Sequence, residues 1–240
     1  MNNKNKESGR ALAIVPAYNE EATIESVVQE ILKKVPGIDV CVVDDGSTDS
    51  TRMRAQRSGA IVISHPLNMG IGVAVQTGFM YAVHHKYDRA VQVDGDGQHD
   101  PVFIPAMMSL LAKGEADVVS GSRFLDKGGY KSSFLRRIGI WFFEIMNRVL
   151  IGQRISDSTS GFRAFSRPAI EFLADDYPED YPEPEVVIIL KKAGFRIKEV
   201  PVVMRERQGG RSSIRGFKPF HYMVKVILAI LIQSLKGDKR

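Results

Sequence analysis

The first hundred residues alternate short β-rich runs with helical patterns, and that alternation leaves few ways to fold. Apolar runs at 11–15, 40–43, 60–63 and 90–93 are separated by helical periodicities at 20–35, 50–58 and 72–84. Strand and helix alternating at this spacing predict an α/β fold, a mostly parallel sheet flanked by helices on both faces. Beyond a fifth strand at 117–120 the alternation breaks into a basic loop at 123–131, an amphipathic helix at 134–150 and a turn-rich loop at 156–161. A strand at 162–165, a helix at 185–193 and a strand at 196–204 follow. The acidic, proline-broken stretch 175–185 reads as a mobile loop.

Composition removes several classes of protein. With 240 residues, 44% hydrophobic and 25% charged, the chain is neither disordered nor collagen-like. The single cysteine, Cys41, makes no intramolecular disulfide or cysteine zinc cluster, and no signal stretch opens the chain, so the expected compartment is the cytoplasm. The net charge of +5 is local: the last forty residues hold nine Lys or Arg against two acids, and the rest is slightly acidic. Those cations alternate with aliphatic residues instead of aromatics, which points to phosphate or a membrane surface and away from nucleic acid.

Two apolar segments bear on membranes. The run at 222–235 is uninterrupted only over 226–232, short of the ~20 residues that span a bilayer. Flanked by Lys225, Lys236, Lys239 and Arg240, it is either an interfacial helix or one packed on the core. In 134–150 an apolar stripe including Trp141 follows Arg136 and Arg137, which suits a core helix and a bilayer interface alike. The organisation expected is a flexible N-terminus at 1–10, a catalytic domain at 11–215 and a basic amphipathic helix at 216–240.

In a parallel sheet, ligands gather where strands end. Here those positions carry Pro16-Ala-Tyr-Asn-Glu-Glu21, Asp44-Asp45-Gly-Ser-Thr-Asp49, His65-Pro-Leu-Asn68 with Gly70, and Asp94-Gly-Asp-Gly-Gln-His-Asp100. Asp94 and Asp96 flank one glycine, an oxygen donor pair suited to Mg²⁺ or Mn²⁺ carrying a diphosphate; Gln98 adds a neutral oxygen and His99 a nitrogen. Asp44 and Asp45 bring two more carboxylates to the same edge, a crowding that costs stability unless a cation or a donor-rich ligand shares them. Asp49 reads as a cap of the helix that starts near Ser50. His65, His84, His85 and His221 show no metal-binding spacing and read as surface or helix residues. The glycine pattern at 70–75 departs from a dinucleotide fingerprint, no phosphate loop of the glycine-lysine-serine type exists, and no nucleophile elbow appears.

Together with Gly121-Ser-Arg123, Asp157, Ser160-Gly-Phe-Arg163 and Arg207-Gln-Gly-Gly-Arg-Ser-Ser213, these motifs resemble, over about residues 11 to 215, the family 2 glycosyltransferases of GT-A fold. The branch they look most like is the dolichyl or undecaprenyl phosphate sugar transferases. The resemblance implies that Pro16, Tyr18, Glu20, Val43 and Asp45 line the nucleotide pocket, Asp45 facing the base. It implies that Asp94, Gly95, Asp96 and Gln98 hold the metal and donor diphosphate. It assigns Arg123 and Arg207 to phosphate oxygens of donor or acceptor, and matches Arg136 and Arg137 to a basic pair near the acceptor phosphate. Two departures stand out: relatives with their own transmembrane helices carry long apolar hairpins after this domain, and Ser213 stands where many carry lysine.

The activity implied is metal-dependent, inverting transfer of a sugar from a nucleotide sugar to a polyprenyl phosphate at the cytoplasmic face of the membrane. Docking to a small membrane protein or self-association would accompany the amphipathic helices. A lipid phosphate is already an anionic nucleophile at neutral pH and needs no general base. A sugar hydroxyl acceptor would need one, and Asp157, Glu183 and Glu185 are the positions for it. Outside this class stand a nucleotidyltransferase, which would carry a glycine-rich, lysine-containing loop where 16–21 is acidic, and a non-catalytic scaffold.

Overall fold

The computed structural model describes residues 9–125, 155–178 and 182–206. Seven strands are β1 (Ala11–Ala17), β2 (Asp39–Asp44), β3 (Ile61–Ser64), β4 (Arg89–Gln92), β5 (Val118–Ser122), β6 (Arg163–Ser166) and β7 (Ile197–Pro201). The helices are α1 (Ile24–Lys34), α2 (Thr51–Arg57), α3 (Ile71–His84), α4 (Ile104–Ala112), α5 (Arg167–Asp175) and α6 (Pro182–Lys192). The sheet order is β3-β2-β1-β4-β6-β5-β7. Every adjacent pair is parallel except those that β6 makes with β4 and β5. The α/β expectation holds, with one reversed strand that the sequence pattern does not announce.

β1 is apolar along its whole length because it is covered on both faces. Leu12 and Ile14 point into one core with Cys41, Val43, Phe79 and Phe165, under α3 and α5. Ala13 and Val15 point into the other with Ile24, Val28, Ile31 and Met107, under α1 and α4. In α1 the buried residues Ile24, Val27, Val28 and Ile31 recur at three- and four-residue spacing, with Glu25 in the first turn and Lys33 and Lys34 in the last, charges that suit the helix dipole. Burial pushes the Cys41 thiol up to about 12, which leaves it inert in mid-strand.

Several boundaries move for physical reasons. The helix expected from residue 20 starts at Ile24, because Glu20 turns the chain and its carbonyl accepts from the Thr23 and Ile24 amides. α4 and α5 lie outside the expected alternation. The stretch expected to be mobile is anchored at both described ends: Tyr177 is buried with its ring 5.6 Å from that of Phe79, and α6 begins at Pro182, where a missing N–H costs nothing. Arg10, expected within the flexible N-terminus, is held by Asp88 through its amide and lies over the Tyr87 ring. The basic loop beyond Leu125, the 134–150 helix and the 216–240 helix lie outside the described residues. Among the described residues no helix is long and apolar enough to cross a membrane.

The order β3-β2-β1-β4 puts the reversal of winding between β1 and β4, where a crevice opens beyond the carboxyl ends of the two strands. α3 crosses beneath it, and Gly78 lets the helix press on β1, since a β-carbon there would collide with Ile14. Gly78→Ala is expected to lower stability by about 1–3 kcal/mol through overpacking, read as a shifted midpoint in urea unfolding.

Candidate active site

At that crevice lies a cleft of about 650 Å³ lined by Pro16, Tyr18, Glu20, Asp45, Asn68, Gly70, Asp94, Gly95 and Asp96. The sequence motifs after β1, β2, β3 and β4 thus converge on one cavity, of a size ordinary for small-molecule sites.

The loops around it are tied to one another by side chains. Asn19, with φ of 54°, donates its amide to Ser47 Oγ and accepts from the Thr48 amide, coupling the first loop to the second. The Glu20 amide donates to Thr51 Oγ1. Asp49 accepts from the Thr51 hydroxyl and from the Thr51 and Glu21 amides; although burial opposes it, these bonds hold its carboxyl below the usual range, and it meets the first amide of α2 from one position before Ser50, which is the N-cap. Gly46, with φ of 71°, passes so close to the Leu67 backbone that no side chain fits. Asp44 accepts the Ser47 amide, and Asp45 accepts the amides of Met69 at 3.0 Å and Gly70 at 2.9 Å.

The fourth loop is anchored from three directions. Thr23 donates to the Gly95 carbonyl at 2.7 Å, and a β-carbon at Gly95 would sit 3.2 Å from the Pro16 carbonyl oxygen. Asp96 accepts the Gln98 amide. His99, stacked on Phe162, takes the Asp94 amide hydrogen on Nδ1 at 3.0 Å and has Nε2 3.6 Å from Asp94 Oδ2. Burial pulls the His99 ring down to about 4, against the nearby charge of Asp96, so it is neutral with its hydrogen on Nε2. His99 therefore orients Asp94, and its Nδ1 is taken by the backbone and not offered to a metal. Gln98 donates to the Arg205 carbonyl and lies outside the cleft lining, unlike the ligand the sequence suggested.

Three further expectations find their places. Val43 is buried in the core below the cleft and does not line it, because alternation along β2 turns its side chain toward α3. Arg123 and Asp157 form a two-pronged ion pair, Nε to Oδ2 and Nη2 to Oδ1 both at 2.7 Å, and Asp157 also takes the Arg123 amide. Glu199 in turn holds the Ser156 and Asp157 amides. Asp157, with its side chain fully buried and both oxygens engaged, is the orienter of Arg123 and is not poised as a base. Glu183 and Glu185 stand in the first turn of α6. Burial pushes the Glu183 carboxyl up, the charge of Asp94 adds to this, and buried Arg163 opposes it. Arg136, Arg137 and Arg207 lie outside the described residues.

The sequence reading missed His65, Thr23, Gly161 and the ion pairs of Arg205. Gly161 was legible only as part of the Ser-Gly-Phe-Arg motif: a β-carbon there would lie 3.1 Å from Gln92 Nε2 and 3.2 Å from Asp94 Oδ1. Arg205 grips Glu30 through two bonds of 2.7 Å and reaches Asp100 at 2.8 Å, while Lys34 bridges the same two acids. This lashes the segment after β7 to α1 and to the end of the fourth loop.

The donors fit a hard divalent cation. Two carboxylates rise from one loop into the cleft, and among the described residues no group of three or more His, Cys, Asp or Glu converges to complete a shell. Such a set leaves room for phosphate oxygens and water around Mg²⁺ or Mn²⁺ and lacks the soft or imidazole ligands of a zinc site.

A mostly parallel sheet with one reversed strand, carrying an aspartate-glycine-aspartate loop beside a cleft at its switch point, defines a glycosyltransferase of GT-A architecture. Residues 12–173 match the model of glycosyl transferase family 2, and the chain belongs to that family. It is 30% identical over 218 residues to the undecaprenyl-phosphate mannosyltransferase of Micrococcus luteus, covering 86% of this chain and 88% of that one. It is 31% identical over 235 residues to a UDP-N-acetylglucosamine–dolichyl-phosphate N-acetylglucosaminyltransferase of Methanococcus voltae, covering 88% and 93%. Its fold superposes on glucosyl-3-phosphoglycerate synthase of Mycobacterium tuberculosis, solved with Mg²⁺ and UDP, with a TM-score of 0.74 and 26% identity over 98% of this chain and 82% of that one.

Two predictions follow from these contacts. Gly161→Ala pushes on the side-chain tips of Gln92 and Asp94, so the variant is expected to melt within a few degrees of the parent yet need about tenfold more Mn²⁺ for half-maximal activity, read by metal titration. In the Arg205 network, hydrogen bonds from Arg205 and Lys34 hold Glu30 down to about 2; Asp100, although burial opposes it, is drawn to about 2 by Lys34, the Val102 amide and Arg205. Depressed carboxyls contribute stability that is present above their unfolded range near 4 and lost as pH falls toward 2. The stability gap between wild type and Arg205→Gln should accordingly be widest at neutral pH and close between about pH 4.5 and 2, measured by urea unfolding across pH.

Proposed function

We propose that the protein transfers a sugar, with inversion, from a nucleoside diphosphate sugar to a polyprenyl phosphate, working at a membrane surface. The observation that carries the reading is the single cleft at the switch point that Asp45 and the pair Asp94 and Asp96 line together. Similarity to lipid phosphate sugar transferases of two different sugars supports the acceptor class and leaves the donor sugar to experiment.

Asp45 offers a fixed acceptor at the base end of the cleft, which suits a base with an imino N–H, uracil or guanine. Tyr18, 45% exposed at the rim, and Pro16 flank the nucleoside. Asp94 and Asp96 would hold Mg²⁺ or Mn²⁺, whose chemistry there is to neutralise charge on the departing nucleoside diphosphate. Gly95 keeps the loop flat against Pro16 so that a diphosphate approaches the backbone closely. Arg123, its guanidinium plane fixed by Asp157 and Thr159, would meet phosphate oxygens in this reading, the service a base-free attack by an anionic acceptor most needs. Arg136, Arg137 and Arg207 belong by resemblance to the same acceptor and donor phosphates.

A second reading has one observation in its favour. Glu183, its carboxyl raised by burial, would serve as base if the acceptor were a hydroxyl. One experiment separates the two. Protein, Mn²⁺, labelled UDP- or GDP-sugars and undecaprenyl phosphate should give a chloroform-soluble labelled product that EDTA abolishes. In that assay Glu183→Gln should keep activity within a fewfold; wild-type transfer to soluble hydroxyl acceptors instead, reduced on the order of 10²–10⁴ by Glu183→Gln, would establish the hydroxyl reading.

A further inference from the structure

His65 sits behind the cleft, between two elements that the donor reading treats separately. Its Nδ1 is 2.7 Å from Asp45 Oδ1 at the end of β2, and its Nε2 is 3.0 Å from Thr77 Oγ1 on α3. The side chain is only 11% exposed, and it lies outside the set of residues that line the cleft. An ionised carboxylate only accepts, so Nδ1 carries a hydrogen and donates it to Asp45.

Among the described residues, Asp45 receives three hydrogen bonds. Oδ1 receives His65 and the Met69 amide, and Oδ2 receives the Gly70 amide. Each carboxylate oxygen offers about two acceptor directions, so Oδ1 is filled and the open direction belongs to Oδ2. Where that direction points depends on rotation of the carboxylate plane, and such terminal torsions are broad when left to rotamer preference alone. Two of the three donors are amides of a surface loop whose Leu67 and Met69 are 61% and 50% exposed. The third, His65, is braced against a helix: Thr77 lies within α3 and bonds the Val73 carbonyl at 2.9 Å.

We infer that His65 is a positioning residue of the donor site, which fixes the plane of the Asp45 carboxylate from α3 and thereby sets discrimination among nucleoside diphosphates. The inference rests on the donor reading above. Uracil and guanine present an imino N–H where cytosine and adenine present a bare ring nitrogen, so a carboxylate held in one plane accepts the first pair and repels the second. One that swings loses the contrast before it loses all affinity.

The test measures UDP, GDP, CDP and ADP binding by calorimetry with Mn²⁺, and steady-state kinetics with the preferred donor. Wild type should favour UDP or GDP over CDP and ADP. His65→Ala should weaken the preferred nucleotide about tenfold, compress its advantage over CDP and ADP by a similar factor, and raise donor KM far more than it lowers kcat. His65→Asn, whose side-chain amide replaces the Nδ1 hydrogen, should recover most of both; Thr77→Val, which removes only the brace, should fall between. Should His65→Ala fail to fold, the Asn and Val variants carry the test alone, with melting temperatures as control. Folded variants with wild-type affinity and wild-type selectivity would overturn the role of His65 and leave the donor reading standing. A wild type that binds none of the four diphosphates would overturn both.

Discussion

Carboxylates crowd one rim of this sheet, and the structure is organised around keeping them in place. Asp44, Asp45, Asp94 and Asp96 are gathered there by two strand ends, those of β2 and β4, where like charges repel. Each loop answers with donors. Amides of the loop after β3 wrap Asp45, the amide of Ser47 meets Asp44, and that of Gln98 meets Asp96. Dipoles fixed by the backbone offset part of the repulsion without neutralising the acids, which leaves the rim electronegative toward a cation.

The same economy governs the neighbouring Arg123. Arg123 is held by Asp157, Asp157 is held through its own amide by Glu199, and the whole set hangs on β5, β6 and β7. An arginine so tethered would lose little further side-chain entropy on binding an anion, unlike a freely moving lysine. On the far side Arg205 spans Glu30 and Asp100, so the fourth loop is pinned to α1 as well as to the strands. The site is thus braced from three layers of the fold, and the residues that brace it are distant in sequence from those they serve.

Much of this was readable from the chain. The alternation of strand and helix gave the fold class, and the polar loops after successive strands marked the residues that line the cleft, Pro16, Tyr18, Glu20, Asp45, Asp94, Gly95 and Asp96. Other assignments needed coordinates. Val43 follows the strand alternation into the core, Gln98 turns to Arg205, and Asp157 spends its oxygens on Arg123. His65 looked like a surface histidine because its partners are 20 and 12 residues away. Gly161 looked like one more turn glycine until β6 ran against Asp94.

What the sequence alone determined was periodicity and punctuation: which runs are buried on two faces, where each strand stops, and which acids stand just beyond. These are local properties, set by side-chain alternation and turn chemistry within a few residues. Tertiary structure alone decided the reversed strand β6, the placement of α4 and α5, and the identity of the groups that hold each functional side chain. Those depend on contacts between residues tens of positions apart, and no local pattern encodes which hydrogen-bond donor will arrive at a given carboxylate.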